Sequence, residues 1–272
     1  MTEQNAAANR LWLWDGKAPG SAADDGFRPW LEPYLIAASR PCGAVIVCPG
    51  GGYGMRAAHE AEPIARRVNR AGYHAFVLQY RVAPHRHPAP LFDAARAVRL
   101  VRARAKEWNV NPSQIAIGGF SAGGHLTASL GVLFREATPP APDAIDRESC
   151  RPDALILCYP VISSGEFANV GSFQNLLGPD APAAAREQMS LEQRVTAETP
   201  PAFLWHTADD AGVPMENSLL FAMALRRHKI PVELHVYPFG PHGVGLAESS
   251  PHLATWSTLC SEWLAELGWV RA

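Results

Sequence analysis

Gly119-Phe120-Ser121-Ala122-Gly123 sets a serine between small residues in a G-x-S-x-G run. A sharp strand-to-helix turn built on that pattern holds the serine hydroxyl out beyond the strand, and the small neighbours allow the close approach the turn needs. The helix that follows aims its N–H groups and positive dipole end at the same spot. Such a hydroxyl is suited to attack on a carbonyl carbon. Pro49-Gly50-Gly51-Gly52-Tyr53 follows an apolar run and offers backbone N–H groups with no side chains in the way, as a tetrahedral oxyanion requires. The expected donors are Gly51 and Gly52, with Ala122 next to the serine. A tight turn alone would account for one or two of these glycines. A phosphate loop would need G-x-G-x-x-G or a following Lys-Ser/Thr, and neither is present.

A serine nucleophile needs a base, and the base needs a carboxylate to orient it. Asp209 and Asp210 compete for the second role after the apolar run 202–206. Asp210 stands four residues after His206 and three before Val213, an H-x-x-x-D-x-x-V spacing that resembles the one in many α/β hydrolases, and on that likeness it is preferred. That leaves Asp209 to cap the helix beginning near Pro214 or to face water. With ten histidines in the chain, position decides the base. His242 lies in Pro-Phe-Gly-Pro-His-Gly, after the last predicted strand and before the closing helix, so serine, acid and base follow in that order. His206, in a buried strand, reads as a satisfied core residue or one behind the acid. His125 is one helical turn past Ser121 and reaches it only awkwardly. His85 and His87 sit in a proline-rich loop that lines a pocket or faces water. No metal-ligand spacing of His or Cys occurs, so a catalytic metal is not expected.

The elements that must hold these residues are legible from periodicity. Short apolar runs at 44–48, 74–80, 115–118, 154–159, 202–206 and 232–237 read as strands. Helical patterns fall at 60–70, 91–106, 122–134, 215–228 and 252–267. This alternation predicts an α/β fold with a mostly parallel central sheet and helices on both faces, as one domain over residues 1–272. Segment 163–201 breaks the alternation and reads as a small lid, a pocket wall or a longer crossover. Arg96, Arg99, Arg102 and Arg104 read as the wet face of the helix over 91–106.

Bulk numbers narrow the class. The 272 residues are 47% hydrophobic and 18% charged with a net charge of −2, which is ordinary globular composition. Without a dense Lys/Arg run, neither nucleic acid nor an anionic membrane is an expected partner. The first residues lack the basic stretch and apolar core of a signal peptide, and no apolar stretch approaches a membrane span. Five scattered cysteines form no metal or disulfide pattern. The expectation is a cytoplasmic protein. A homo-oligomer stays open, because a pairing surface would read as ordinary surface apolarity.

The chain resembles the esterase/lipase branch of the α/β hydrolases. The likeness is carried by Pro49–Tyr53, Gln79-Tyr80-Arg81-Val82-Ala83-Pro84, Pro90-Leu91 with Asp93, and 119–124. Phe203-Leu204-Trp205-His206-Thr207, Val213-Pro214 with Glu216-Asn217-Ser218, and Pro241-His242-Gly243 narrow it to small bacterial acetyl-xylan and feruloyl carbohydrate esterases. The H-x-x-x-D-x-x-V spacing is also found in many α/β hydrolases. The resemblance runs over about residues 10–265. It implies an α/β-hydrolase fold, a Ser121–Asp210–His242 triad, no cofactor, and a small-molecule or oligosaccharide substrate carrying short acyl esters, often acetyl on xylose-containing saccharides. Pro49 stands where many relatives have a histidine that braces the glycine loop. General carboxylesterase, arylformamidase and peptidase-type amide hydrolysis share the same residues. Beyond enzymes stands a non-catalytic α/β-hydrolase-like binding protein.

Overall fold

The computed structural model describes residues 10–20, 26–139 and 143–272. Most of the opening stretch on which the absence of a leader was argued lies outside the described residues.

Eight strands form one sheet in the order β1-β2-β4-β3-β5-β6-β7-β8. They are β1 Leu11–Trp12, β2 Trp30–Tyr34, β3 Cys42–Cys48, β4 His74–Gln79, β5 Val110–Phe120, β6 Ala154–Cys158, β7 Ala202–Thr207 and β8 Val232–Tyr237. From β4 to β8 all pairs are parallel, while β1 and β2 add an antiparallel edge. The mostly parallel sheet is as expected. Strands β3, β6 and β7 are buried at every position, which is why they read as unbroken apolar runs. The edge pair was not anticipated. Trp-Leu-Glu-Pro-Tyr in β2 carries a proline and a glutamate and is mostly half-buried, so it lacks the apolar signature of the inner strands.

The helices are α1 Glu62–Arg70, α2 Ala89–Ala103, α3 Ala105–Trp108, α4 Ala122–Leu133, α5 Val170–Leu177, α6 Ala183–Glu187, α7 Glu216–Arg227, α8 Pro251–Ala254 and α9 Trp256–Glu266. They cover both faces of the sheet. On one face Val98, Leu126 and Phe221 from α2, α4 and α7 share a core with Ile46, Ile117 and Leu204 of the strands. On the other, Ile64, Trp256 and Trp263 from α1 and α9 pack with Val45, Val47 and Phe203. Burying such side chains contributes roughly 1.5–3 kcal/mol each. No helix among the described residues is long and apolar enough to cross a membrane.

The arginines of α2 correct the wet-face expectation. Arg96 and Arg99 are buried, and Arg96 reaches Asp143 as well as Asp146 at 3.1 Å. The segment around 143–153 folds over this face and supplies acids that helical periodicity does not show. Arg102 and Arg104 do lie further out, paired with Asp153 and Glu107. Arg81 and Asp93 form a fully buried ion pair at 2.7 Å, and the guanidinium also donates to Ala89 O at 3.1 Å. This pair anchors the start of α2 beneath the loop that receives Tyr53, whose carbonyl accepts Ala83 N–H at 2.7 Å.

Candidate active site

Ser121 stands where β5 turns directly into α4, with φ 52° and ψ −119°. Such a conformation costs a non-glycine residue on the order of 1–3 kcal/mol. The surroundings hold it there. Its N–H donates to Cys158 O at 3.0 Å, and its carbonyl accepts His125 and Val161 N–H at 3.1 Å each. The flanking glycines are steric necessities. A Cβ on Gly119 would lie 2.1 Å from Gly123 O, and one on Gly123 would lie 2.1 Å from Cys48 O.

The side chains proposed from sequence as nucleophile, base and acid meet in one hydrogen-bonded line. Ser121 Oγ lies 2.7 Å from His242 Nε2, and His242 Nδ1 lies 2.7 Å from Asp210 Oδ2. A carboxylate only accepts, so Nδ1 carries the proton and Nε2 is left to accept from the serine hydroxyl. Asp210 Oδ1 accepts the N–H groups of Gly212 at 2.8 Å and Val213 at 2.9 Å. Burial opposes ionisation of Asp210, but the bonds from His206, His242 and Val213 outweigh it and hold the carboxyl well below its usual range.

Asp209 is exposed and accepts Gly240 N–H at 2.7 Å. It therefore ties the acid loop to the histidine loop, a task the sequence reading did not give it. His206 is fully buried behind the acid. Its Nε2–H faces Val213 O at 2.9 Å and Asp210 Oδ2 at 3.4 Å, and Nδ1 accepts Ser218 O–H at 2.8 Å. His85 is buried, contrary to the option of a solvent-facing residue, while His87 is half-buried.

The glycine loop owes its shape to groups that hold its carbonyls. Gly50 O accepts Ala57 N–H at 3.0 Å, Gly51 O accepts Gly54 N–H at 3.0 Å, and Gly52 O accepts Asn175 Nδ2 at 2.8 Å. In a trans peptide the N–H points opposite to the carbonyl, so these anchors turn the Gly51 and Gly52 N–H groups the other way. Among the described residues neither of those N–H groups, nor that of Ala122, donates to a protein acceptor. Gly51 has φ 122° and Gly52 φ 61°, a region that favours glycine. Tyr53 shares it with φ 57°, held by a buried ring whose hydroxyl donates to His125 Nδ1 at 2.9 Å.

His125 thus braces the glycine loop instead of touching Ser121 through its side chain. Its Nε2–H donates to Met189 O at 3.1 Å. Burial pushes this imidazole down to about 4 from an ordinary 6.5. Between those values the unfolded chain binds a proton that the folded chain refuses. The stability contributed by neutral His125 is complete above about 6.5 and is lost as pH falls toward 4. Thermal unfolding should show Tm falling over this window, less steeply in His125→Gln. Equal slopes would show that His125 does not set this dependence.

Segment 163–201 is sewn to the same loops. Asn169 Nδ2 donates to Gly212 O at 2.9 Å, Leu176 O accepts His87 N–H at 2.8 Å, and the Phe173 ring stands edge-on to His125. Sequence reasoning missed three polar supports: Glu60, Tyr159 and Asn175. Glu60 is buried and accepts Gly50 N–H at 2.7 Å and Tyr159 O–H at 2.7 Å. Tyr80 O–H adds a bond of 2.6 Å to Pro49 O. These take over the bracing that Pro49, lacking a side-chain donor, does not give. Among the described residues no cluster of His, Cys, Asp and Glu gathers as metal ligands.

A sheet of this order, with a strained serine at the β5–α4 turn and an acid and histidine after β7 and β8, is an α/β-hydrolase. Residues 34–225 match the BD-FAE family model, and the chain belongs to the BD-FAE family. It is 33% identical to the acetylxylan esterase of Xylanibacter ruminicola, over 100% of this chain and 52% of that protein. To endo-1,4-beta-xylanase B of Butyrivibrio fibrisolvens it is 40% identical, over 86% of this chain and 38% of the other. The chain thus spans about half or less of these curated relatives. A solved structure of an acetyl ester-xyloside bifunctional hydrolase from Caldicellulosiruptor lactoaceticus superposes with a TM-score of 0.91 at 47% identity, covering 95% of this chain and 96% of that one.

Proposed function

We propose that the protein is a serine carboxylic-ester hydrolase, one α/β-hydrolase domain that removes short acyl groups, acetyl above all, from xylose-containing saccharides. The observation that carries this reading is the continuous line Ser121–His242–Asp210 at the strained turn beside the glycine loop. His242 Nε2 takes the proton from Ser121 Oγ as the oxygen attacks the ester carbonyl. The carbonyl oxygen becomes an oxyanion held by the N–H groups of Gly51, Gly52 and Ala122. As the tetrahedral centre collapses, the C–O bond to the sugar breaks and His242 returns the proton to the leaving alcohol. Water, deprotonated by the same nitrogen, attacks the acyl carbon; the bond to Ser121 Oγ breaks, the serine takes its proton back from His242, and the acid leaves. Asp210 fixes the imidazole tautomer throughout.

The acetylxylan esterase and the acetyl ester-xyloside hydrolase among the relatives suggest the acetyl and xyloside chemistry. In the same reading 163–201 is a pocket wall, since its bonds reach the glycine loop, the acid loop and the loop at His87. Five free, buried cysteines suit a reducing, cytoplasmic setting.

Purified protein should turn over p-nitrophenyl acetate faster than the butyrate and octanoate esters, and should release acetate from acetylated xylo-oligosaccharides. Activity on short aryl esters with none on the saccharides would leave a general carboxylesterase. Silence on every ester would overturn the esterase reading.

A further inference from the structure

The glycine loop and the histidine loop come from distant parts of the chain, yet one buried carboxyl stands between them. Glu60, 2% exposed, uses Oε2 to accept Gly50 N–H and Oε1 to accept Tyr159 O–H, each at 2.7 Å. The Tyr159 oxygen in turn accepts Gly245 N–H at 2.8 Å, three residues past His242. Its ring lies edge-on to the His242 imidazole, with centroids 5.1 Å apart. Tyr159 itself follows β6 with φ 38°, and its N–H donates to Trp205 O at 2.8 Å, so it is locked in an unusual backbone conformation. His59, beside Glu60, adds a contact of 2.8 Å from Nε2 to Gly243 O. There is no slack on the other side, because a Cβ on Gly50 would lie 2.6 Å from Glu60 Oε2 and 3.1 Å from Ser121 Cβ.

We infer that Glu60 and Tyr159 act as one positioning unit that sets the spacing between the oxyanion-binding N–H groups and His242 Nε2. The inference rests on the hydrolase reading of Ser121, Gly51, Gly52 and His242. Its physical basis is that oxyanion donors and base act only when pre-set to within about half an ångström. Gly50 leads directly into the two donor glycines, and Gly245 closes the loop that carries the base. Both are fixed through the same carboxyl and phenol. Neither Glu60 nor Tyr159 touches the reacting atoms, so binding of the ester ground state is left unaltered by their loss.

The test compares Glu60→Gln, Tyr159→Phe, the double variant and Ser121→Ala on p-nitrophenyl acetate, with Tm measured for each. Glutamine keeps the volume but turns an NH2 group toward one of the two donors. Phenylalanine keeps the ring against His242 and removes the bridging oxygen. Each single variant is expected to lower kcat by about 10- to 100-fold with KM within about twofold. The double variant should fall no further than the worse single one, because both remove one link. Tyr159→Phe carries the test by itself if Glu60→Gln does not fold. Wild-type kcat in a folded single variant, or losses that multiply in the double, would overturn the coupling. If Ser121→Ala retains turnover, the reading of Ser121 as the nucleophile fails instead. An inactive Ser121→Ala beside fully active Glu60 and Tyr159 variants would defeat the coupling alone.

Discussion

Substituting Ser121 by Ala is expected to lower ester turnover by at least about 10⁴-fold while Tm stays at or above that of the parent chain. The size follows from what the hydroxyl does. Without Oγ no acyl-enzyme forms, and what remains is the contribution of the oxyanion N–H groups and of substrate binding. Stability should hold for two reasons. The backbone bonds that fix the turn, from Ser121 N–H to Cys158 and to its carbonyl from His125 and Val161, do not involve the side chain. Alanine meets the same φ 52° strain as serine, so the exchange adds little backbone cost. Stopped turnover with an unchanged melting curve separates a chemical role from a structural one.

The second large effect distinguishes two neighbours. Asp210→Asn should cut kcat by about 10³- to 10⁴-fold, whereas Asp209→Asn should stay within about threefold of the parent. An asparagine at 210 presents a neutral amide to His242 Nδ1, so the imidazolium that forms during attack loses its counter-charge and the preferred tautomer is no longer fixed. At 209 the task is to accept Gly240 N–H, and an asparagine carbonyl does that equally well. Because bonds from two histidines and Val213 outweigh burial and keep Asp210 ionised to unusually low pH, the acid limb of the kcat/KM profile should not report the titration of Asp210. Steady-state kinetics on the two variants checks both statements. Equal losses at 209 and 210 would contradict them.

The spacing of Asp210 from His206 and Val213 is local and so stands in the sequence, but it points to an acid only through the likeness to other α/β hydrolases. The parallel strands were readable for a similarly local reason: β3, β6 and β7 are buried on both faces, so each is a continuous apolar run. What stayed hidden depends on contacts between distant segments. Arg96 and Arg99 have the helical spacing of a solvated face, but 143–153 covers them with acids. Glu60 sits in an alanine-rich helix start, and nothing local announces that its partners are 10 and 99 residues away. His125 read as a residue near the serine, whereas its ring turns to Tyr53 and Met189. The residues that point at the reacting atoms belong to short motifs. Those that hold them in place were assembled by the fold.

Trapping Ser121 is the sharpest check that it is the covalent nucleophile of an esterase. The protein is titrated with a fluorophosphonate, residual p-nitrophenyl acetate hydrolysis is followed, and the adduct is located by peptide mass spectrometry. One label per chain is expected, on Ser121, with activity lost in proportion to labelling and no label on Ser121→Ala. Full activity in a stoichiometrically labelled sample, or an inactivating label on any other residue, would contradict that role.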